Sequence, residues 1–473
     1  MADVSALSSE FPPAEAEAWR ALVAKTLGEK PYESLRRQTA EGLGIEPLYA
    51  AGGAPAAFPV RPFAADRPWE VAGLTAHPEP SRANAEILAD LSGGAAGAVV
   101  RIDPRGERGV AVGSADGLAR VLDGVILELA PVALDAGFFG PKAADWLGSV
   151  AKASPAAKLR FHMDPLSAFA EAGGSPGPIE SHLVSAATVG ARLADTYPEA
   201  QLFLASGRAA HEAGGGEALE VAVAAAAAVA YAKALVRAGM GIKDSLSRIT
   251  LGLAADADYF LTIAKLRAAR VVWARIADAC GADEQARVEA RSSGRMLAAK
   301  DAWTNMIRLT AAGFGAAVGG ADTVVLGNFT DALGLPTAFA RRQSRNTQLV
   351  LMEEAHVGRV TDPAAGAGYV EALTDQIARA AWAKFQAIEG EGGLAAALAS
   401  GAVARDAAAA NAGRGELKIV GVTAFPPASE TPVEVERVEP RAAEAPSVQL
   451  PGPDSRCEPL KPLRLSEAYE AQA

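Results

Sequence analysis

Five histidines, two cysteines and a few arginine-rich segments are the side chains of this sequence best suited to chemistry. His77, His162, His182, His211 and His356 form no His-x-x-x-His pair, and neither Cys280 nor Cys457 lies in a Cys-x-x-Cys. A protein-ligated metal centre is therefore not expected. There is no Gly-x-Ser-x-Gly elbow and no Walker loop, which removes the usual serine hydrolase and P-loop readings. Ser206-Gly207-Arg208 and His211-Glu212, followed by Gly214-Gly215-Gly216, come directly after a predicted strand. The C-terminal ends of strands carry the active site in a (β/α)8 barrel. By composition, however, this segment reads as a glycine-rich turn bearing a solvated His–Glu pair. Gly313 to Gly320 holds four glycines without the Gly-x-Gly-x-x-Gly spacing, and reads as the end of an alanine-rich helix. Lys265 to Arg270 and Arg341 to Asn346 concentrate positive charge that could meet a phosphate or carboxylate; both read as solvated or ion-paired faces.

The elements that must position these residues alternate. Short apolar runs at 98–102, 125–129, 159–162, 201–205 and 323–326 predict strands, separated by helices such as 115–122, 182–196 and 219–238. The last of these should close at Gly239, a residue that tolerates the left-handed conformation. In 259–280, Ile263, Leu266, Ala269, Trp273, Ile276 and Cys280 recur at spacings of three and four, which predicts one buried helix face. Val370, Leu373, Ile377, Ala381, Phe385 and Ile388 do the same before Gly390. Strand-then-helix order over about 300 residues implies a parallel sheet, and its length suits a (β/α)8 TIM barrel. Period alone does not separate that barrel from an open doubly wound sheet.

The chain has 473 residues, 50% hydrophobic and 21% charged, enough apolar material for a large core and too much for global disorder. A net charge of −11 argues against a nucleic-acid binder, which needs a basic face. Two cysteines fit a reducing compartment. The acidic N-terminus lacks a signal-peptide pattern, and the apolar run 221–232 falls short of the ~20 residues that span a bilayer. A soluble cytoplasmic protein is expected, with no membrane and no nucleic-acid partner.

Three segments follow. Residues 1–60 read as an arm with one helix over 14–27, its apolar face made by Trp19, Leu22, Val23 and Leu27. It has too few large apolar residues to fold alone, so it should lie across another surface, in this chain or a partner. Residues 61–424 make the barrel. Nine of the 29 prolines fall in 425–473, which predicts an extended Pro/Glu-rich linker or strap.

Five separated motifs, in order, give the chain a resemblance. Ile45-Glu46-Pro47-Leu48-Tyr49, Thr262-Ile263-Ala264-Lys265-Leu266-Arg267-Ala268-Ala269-Arg270 with Trp273, Leu335-Pro336-Thr337, Arg345-Asn346-Thr347-Gln348-Leu349-Val350-Leu351 with Glu353-Glu354, and Arg359-Val360-Thr361-Asp362-Pro363 running into Tyr369 resemble the methylmalonyl-CoA mutase family. The resemblance covers roughly residues 11–425. It implies a barrel that holds a CoA ester along its axis and a separate flavodoxin-like domain that holds adenosylcobalamin.

The same resemblance exposes departures. After Pro68-Trp69, the family's arginine falls at Ala72 and its active-site tyrosine at Leu74. Its Ser-Gly-Tyr-His becomes Ser206-Gly207-Arg208-Ala209, so the substrate-facing histidine falls at Ala209. Its Gly-Gly-Thr-Gln-Ser-Leu-His meets Gly319 to Val325, which puts Asp322 in place of glutamine and Val325 in place of histidine. Leu74, Ala209 and Val325 donate no hydrogen bond to a thioester, and Asp322 adds negative charge. No histidine follows His356 to serve as lower cobalt ligand, and the cobalamin domain is expected to be absent. The resemblance thus implies the small, non-catalytic subunit of the heterodimeric enzyme. No catalytic, cofactor or metal residues of its own are expected, and the cofactor and CoA thioester would belong to the complex. The alternatives are a barrel-only catalytic chain served by a separate cobalamin subunit, and a degenerate CoA-ester-binding protein.

Overall fold

The computed structural model of the chain describes residues 15–49, 58–64, 66–443 and 455–470. Parts of the expected arm (1–14 and 50–57) and of the expected tail (444–454 and 471–473) lie outside the described residues. Two short strands, β1 (Arg37–Gln38) and β2 (Gly44–Ile45), pair antiparallel in the arm. The next eight are β3 (Glu70–Thr75), β4 (Gly97–Arg101), β5 (Val132–Asp135), β6 (Leu159–Met163), β7 (Gln201–Ser206), β8 (Ile249–Ala255), β9 (Arg287–Ser292) and β10 (Thr323–Val325). They are parallel and close on themselves in the order β10-β3-β4-β5-β6-β7-β8-β9. This is the (β/α)8 barrel.

Its helices form where the apolar spacing places them. Tyr259–Ala279 buries Ile263, Leu266, Ala269, Trp273 and Ile276, while Gly368–Gly390 buries Val370, Leu373, Ile377, Ala381, Phe385 and Ile388. Glu217–Arg237 is an almost wholly enclosed alanine-rich helix, and Gly239 beyond it takes φ 101°. It is long and apolar enough to cross a membrane, but 78% of its most apolar window is packed inside the protein. Gly313 to Gly320 does close a helix, Asn305–Val318.

One expected strand is wrong. Residues 125–129 form a turn that leaves Ile126 and Leu129 exposed, and the strand is the following run, β5. Gly124 at φ 75° turns the chain, and Pro131 stands just before β5, whose partners are Ala98 and Leu159 through Val132. β3, β8 and β9 were not among the expected strands.

Described parts of both the arm and the tail touch the barrel. Glu41 accepts hydrogen bonds from the Ala218 and Leu219 amides (2.7 and 3.0 Å), satisfying free N–H groups at the start of Glu217–Arg237. The Tyr49 ring stands 5.3 Å from that of Tyr369. The helix Ala16–Leu27 buries none of its residues and leaves Leu22 exposed. In the tail, Leu460 is buried, and the amides of Leu463 and Leu465 donate to the Glu212 and Arg295 carbonyls (2.9 and 3.0 Å).

Candidate functional site

Barrel strands alternate between the surrounding helices and the axis. Ala72, Val99, Ala133 and Val325 form an apolar cluster of their own, joined by Leu74 and separate from the main core. The register explains it, because Val325 pairs with Ala72, Leu74 with Val99 and Val99 with Ala133. The structure therefore brings together three of the expected positions, Ala72, Leu74 and Val325, as hydrocarbon on the barrel axis.

The other two lie elsewhere. Ala209 is buried in the short helix Arg208–Glu212 after β7 and packs into the main core. Asp322 stands before β10, at the N-terminal end of the barrel. There it ion-pairs with Arg270 (2.8 Å) and accepts the Val288 amide (2.7 Å). Its charge thus neutralises a helix arginine and does not enter the mouth, contrary to the expectation of an added charge at the thioester.

Charged side chains occupy the rest of the axis. Arg160 pairs with Glu70, and both bond to the Thr323 hydroxyl (2.9 and 3.0 Å). Towards the C-terminal ends of the strands, Arg291 donates to Glu289 (2.6 Å) and to Asp135 (2.8 Å), and Arg101 approaches the same Asp135 oxygen (3.2 Å). His162 Nδ1 is 3.6 Å from Glu289. Burial opposes the Asp135 charge, but Arg101 and Arg291 outweigh it and hold that carboxyl well below the usual range. Burial also pushes His162 down to about 4, against the pull of Glu289, so the ring is neutral at pH 7. Sequence reasoning named His162 but gave none of these residues a place on the axis. The signal was present in β9, where Arg287, Glu289 and Arg291 alternate with Val288 and Ala290, but charge at period two ordinarily marks a solvated face.

The His211–Glu212 segment is also not what its composition suggested. His211 is fully enclosed; its Nδ1 lies 2.9 Å from Glu220, and its Nε2 lies 3.1 Å from the Ser293 hydroxyl and 3.4 Å from Asp256. Lys265 reaches the same Glu220 oxygen at 2.6 Å. Arg295 donates to Asp256 (2.7 Å) and to the His211 and Gly215 carbonyls (2.9 and 2.7 Å). The Ser–His–Glu distances match those of a nucleophile relay. All three side chains are sealed from solvent, so no substrate reaches the serine, and the array ties loops together.

The cationic run of Tyr259–Ala279 is ion-paired, one of the two expected outcomes, and it is internal. Lys265, Arg267 and Arg270 are all buried, and Arg267 takes Asp362 and Glu371 at 2.9 Å each. In the second run, Arg341 pairs with Glu86 (3.3 Å) and Arg345 with Asp90 (2.9 Å). These motifs hold the barrel together.

A closed eight-stranded barrel with this motif order defines the class. The family model described as methylmalonyl-CoA mutase matches residues 63–450, and the chain belongs to that family of cobalamin-dependent mutases. Among its relatives, the methylmalonyl-CoA mutase small subunit of Streptomyces virginiae is 37% identical over 99% of this chain and 77% of its own length. The probable small subunit of Mycobacterium tuberculosis is 39% identical over 85% of this chain and 68% of its own. The small subunit of Propionibacterium freudenreichii subsp. shermanii is 35% identical over 86% and 67%.

Proposed function

We propose that this chain is the small, structural subunit of an adenosylcobalamin-dependent methylmalonyl-CoA mutase, the isomerase that interconverts methylmalonyl-CoA and succinyl-CoA. A large partner subunit carries the cofactor and the catalytic residues, and CoA thioesters bind at the level of that complex in the cytoplasm. The observation that carries the reading is the filled axis. Leu74, Ala72 and Val325 replace hydrogen-bonding groups with hydrocarbon, and Arg160, Glu70, His162, Glu289 and Arg291 occupy the line along which the family holds its CoA ester.

The histidines do not fit a lower ligand for the cobalt of cobalamin. His162 and His211 are enclosed, and His182 Nε2 is engaged by the Pro176 carbonyl at 2.8 Å. His77 is buried, with Nδ1 accepting the Glu79 amide at 3.1 Å. His356 sits on an exposed turn beside Gly358, which packs on Pro68 at the N-terminal end of the barrel. The arm, 1–60, is the segment we assign to the partner contact, with Leu22 and Leu48 exposed on it. A permanent interface of this kind buries on the order of 2,000 Å² or more.

Co-expression with a catalytic large subunit, followed by size-exclusion with light scattering, tests this. A one-to-one complex weakened by removal of 1–60 is expected. Separate elution at micromolar concentration overturns the reading.

A further inference from the structure

The mouth of the barrel holds a group of arginines that its carboxylates satisfy only in part. Two guanidinium groups, from Arg101 on β4 and Arg291 on β9, bond to Asp135, and the charge of a third, Arg208 after β7, reaches the same carboxylate. Asp135 gives one oxygen to two of them, at 3.2 Å from Arg101 and 2.8 Å from Arg291. Glu289 takes Nε of Arg291. Arg208 receives nothing comparable. Among the described residues its guanidinium donates no hydrogen bond and reaches no carboxylate, and its Nε is buried without an acceptor. Nη2 of Arg291, a residue only 3% exposed, is buried and unpaired as well. Two carboxylates, Asp135 and Glu289, bond to Arg101 and Arg291, and the charges of Glu171 and Asp331 also reach the group, Asp331 being held by the Asn328 amide at 2.8 Å. Nearby Glu212 is occupied by the Gly294 and Arg295 amides (3.3 and 3.1 Å), and Glu171 lies exposed at the rim.

A buried guanidinium nitrogen without an acceptor is costly, and guanidinium groups pair best with planar or tetrahedral oxyanions. We propose that this mouth binds a small oxyanion, a phosphate or short carboxylate, between Arg208 and Nη2 of Arg291. A CoA ester is disfavoured because the axis below the mouth is filled by Leu74, His162 and Glu289. The geometry is reinforced by electrostatics: burial and then the neighbouring Arg291 charge lower the proton affinity of Arg208, a destabilisation that a bound anion reverses. The inference concerns this chain alone and does not depend on the subunit assignment.

Calorimetric titration of the full chain with sodium phosphate, and separately with succinate, at constant chloride and ionic strength is the test. Saturable one-to-one binding of at least one anion is expected, weakened about tenfold or more by Arg208→Gln and partly restored by Arg208→Lys. Binding of phosphate alone or of succinate alone identifies the source of the oxyanion. In the unaltered chain, the bound anion should also protect Arg208 from an arginine-selective dicarbonyl reagent, read by peptide mass spectrometry. No saturable binding of either anion in the low millimolar range, equal binding by Arg208→Gln, or unprotected modification of Arg208 overturns the proposal.

Discussion

The Lys265 ammonium lies 2.6 Å from Glu220 Oε2, and both side chains are completely enclosed. The pair joins two core helices, Glu217–Arg237 and Tyr259–Ala279, and the same carboxylate oxygen meets His211 at 2.9 Å. Burial works against the Glu220 charge, but Lys265 and then His211 outweigh it and hold the carboxyl down to about 2. Breaking a buried pair strands a charge, at a cost of roughly 3–5 kcal/mol. Lys265→Met should therefore lower stability strongly in urea unfolding. The double variant Lys265→Met with Glu220→Leu should recover part of the loss, whereas additive losses would show that the pair is not coupled.

Acid should destabilise the barrel from within. His162 is neutral in the fold, with its pKa pushed down to about 4, against an unfolded value of about 6.5. The unfolded chain therefore takes the proton first as pH falls. The contribution of His162 is intact above pH ~6.5 and is lost progressively to pH ~4, to an extent of about 3 kcal/mol. His162→Asn, which tolerates the residue's φ of 44°, should flatten the stability profile between pH 7 and 5. An unchanged slope would assign acid sensitivity to other groups.

Gly207 follows β7 where a methyl group would collide with the Glu220 main-chain carbonyl. Gly207→Ala should cost on the order of 1–3 kcal/mol or more, because backbone cannot yield as a side chain can. Gly390 offers the opposite case, since nothing lies within 4 Å of an added Cβ at the end of Gly368–Gly390. Gly390→Ala should stabilise by up to about 1 kcal/mol. Thermal melts of the two variants should move in opposite directions.

The filled axis makes a kinetic prediction. The purified chain supplied with methylmalonyl-CoA and adenosylcobalamin should form no succinyl-CoA by mass spectrometry. Leu74→Tyr, which returns one hydrogen-bond donor, should leave it inactive, since Arg160, His162 and Arg291 still occupy the axis. Turnover by either protein would reopen the catalytic reading.

The sequence by itself determined the long helices, the parallel alternation and the family. Apolar residues at spacings of three and four leave Tyr259–Ala279 and Gly368–Gly390 little choice of buried face. β-branched runs such as Thr323-Val324-Val325 likewise announce buried strands. It also carried the substitutions at Ala72, Leu74 and Val325, though not that they would meet in one apolar cluster. Tertiary structure decided what the charges do. A barrel has two interiors, one against its helices and one along its axis, and charged residues lining the axis resemble a solvated surface in one dimension. β9 was missed for that reason, and His211 read as solvated because its partners, Glu220 and Asp256, come from other elements. The run 125–129 failed in the opposite sense: apolar content made it resemble a strand, but a strand needs neighbours, and those belong to Val132–Asp135. Pairing across the chain sets which runs become strands, and closure of the barrel sets which charges are buried.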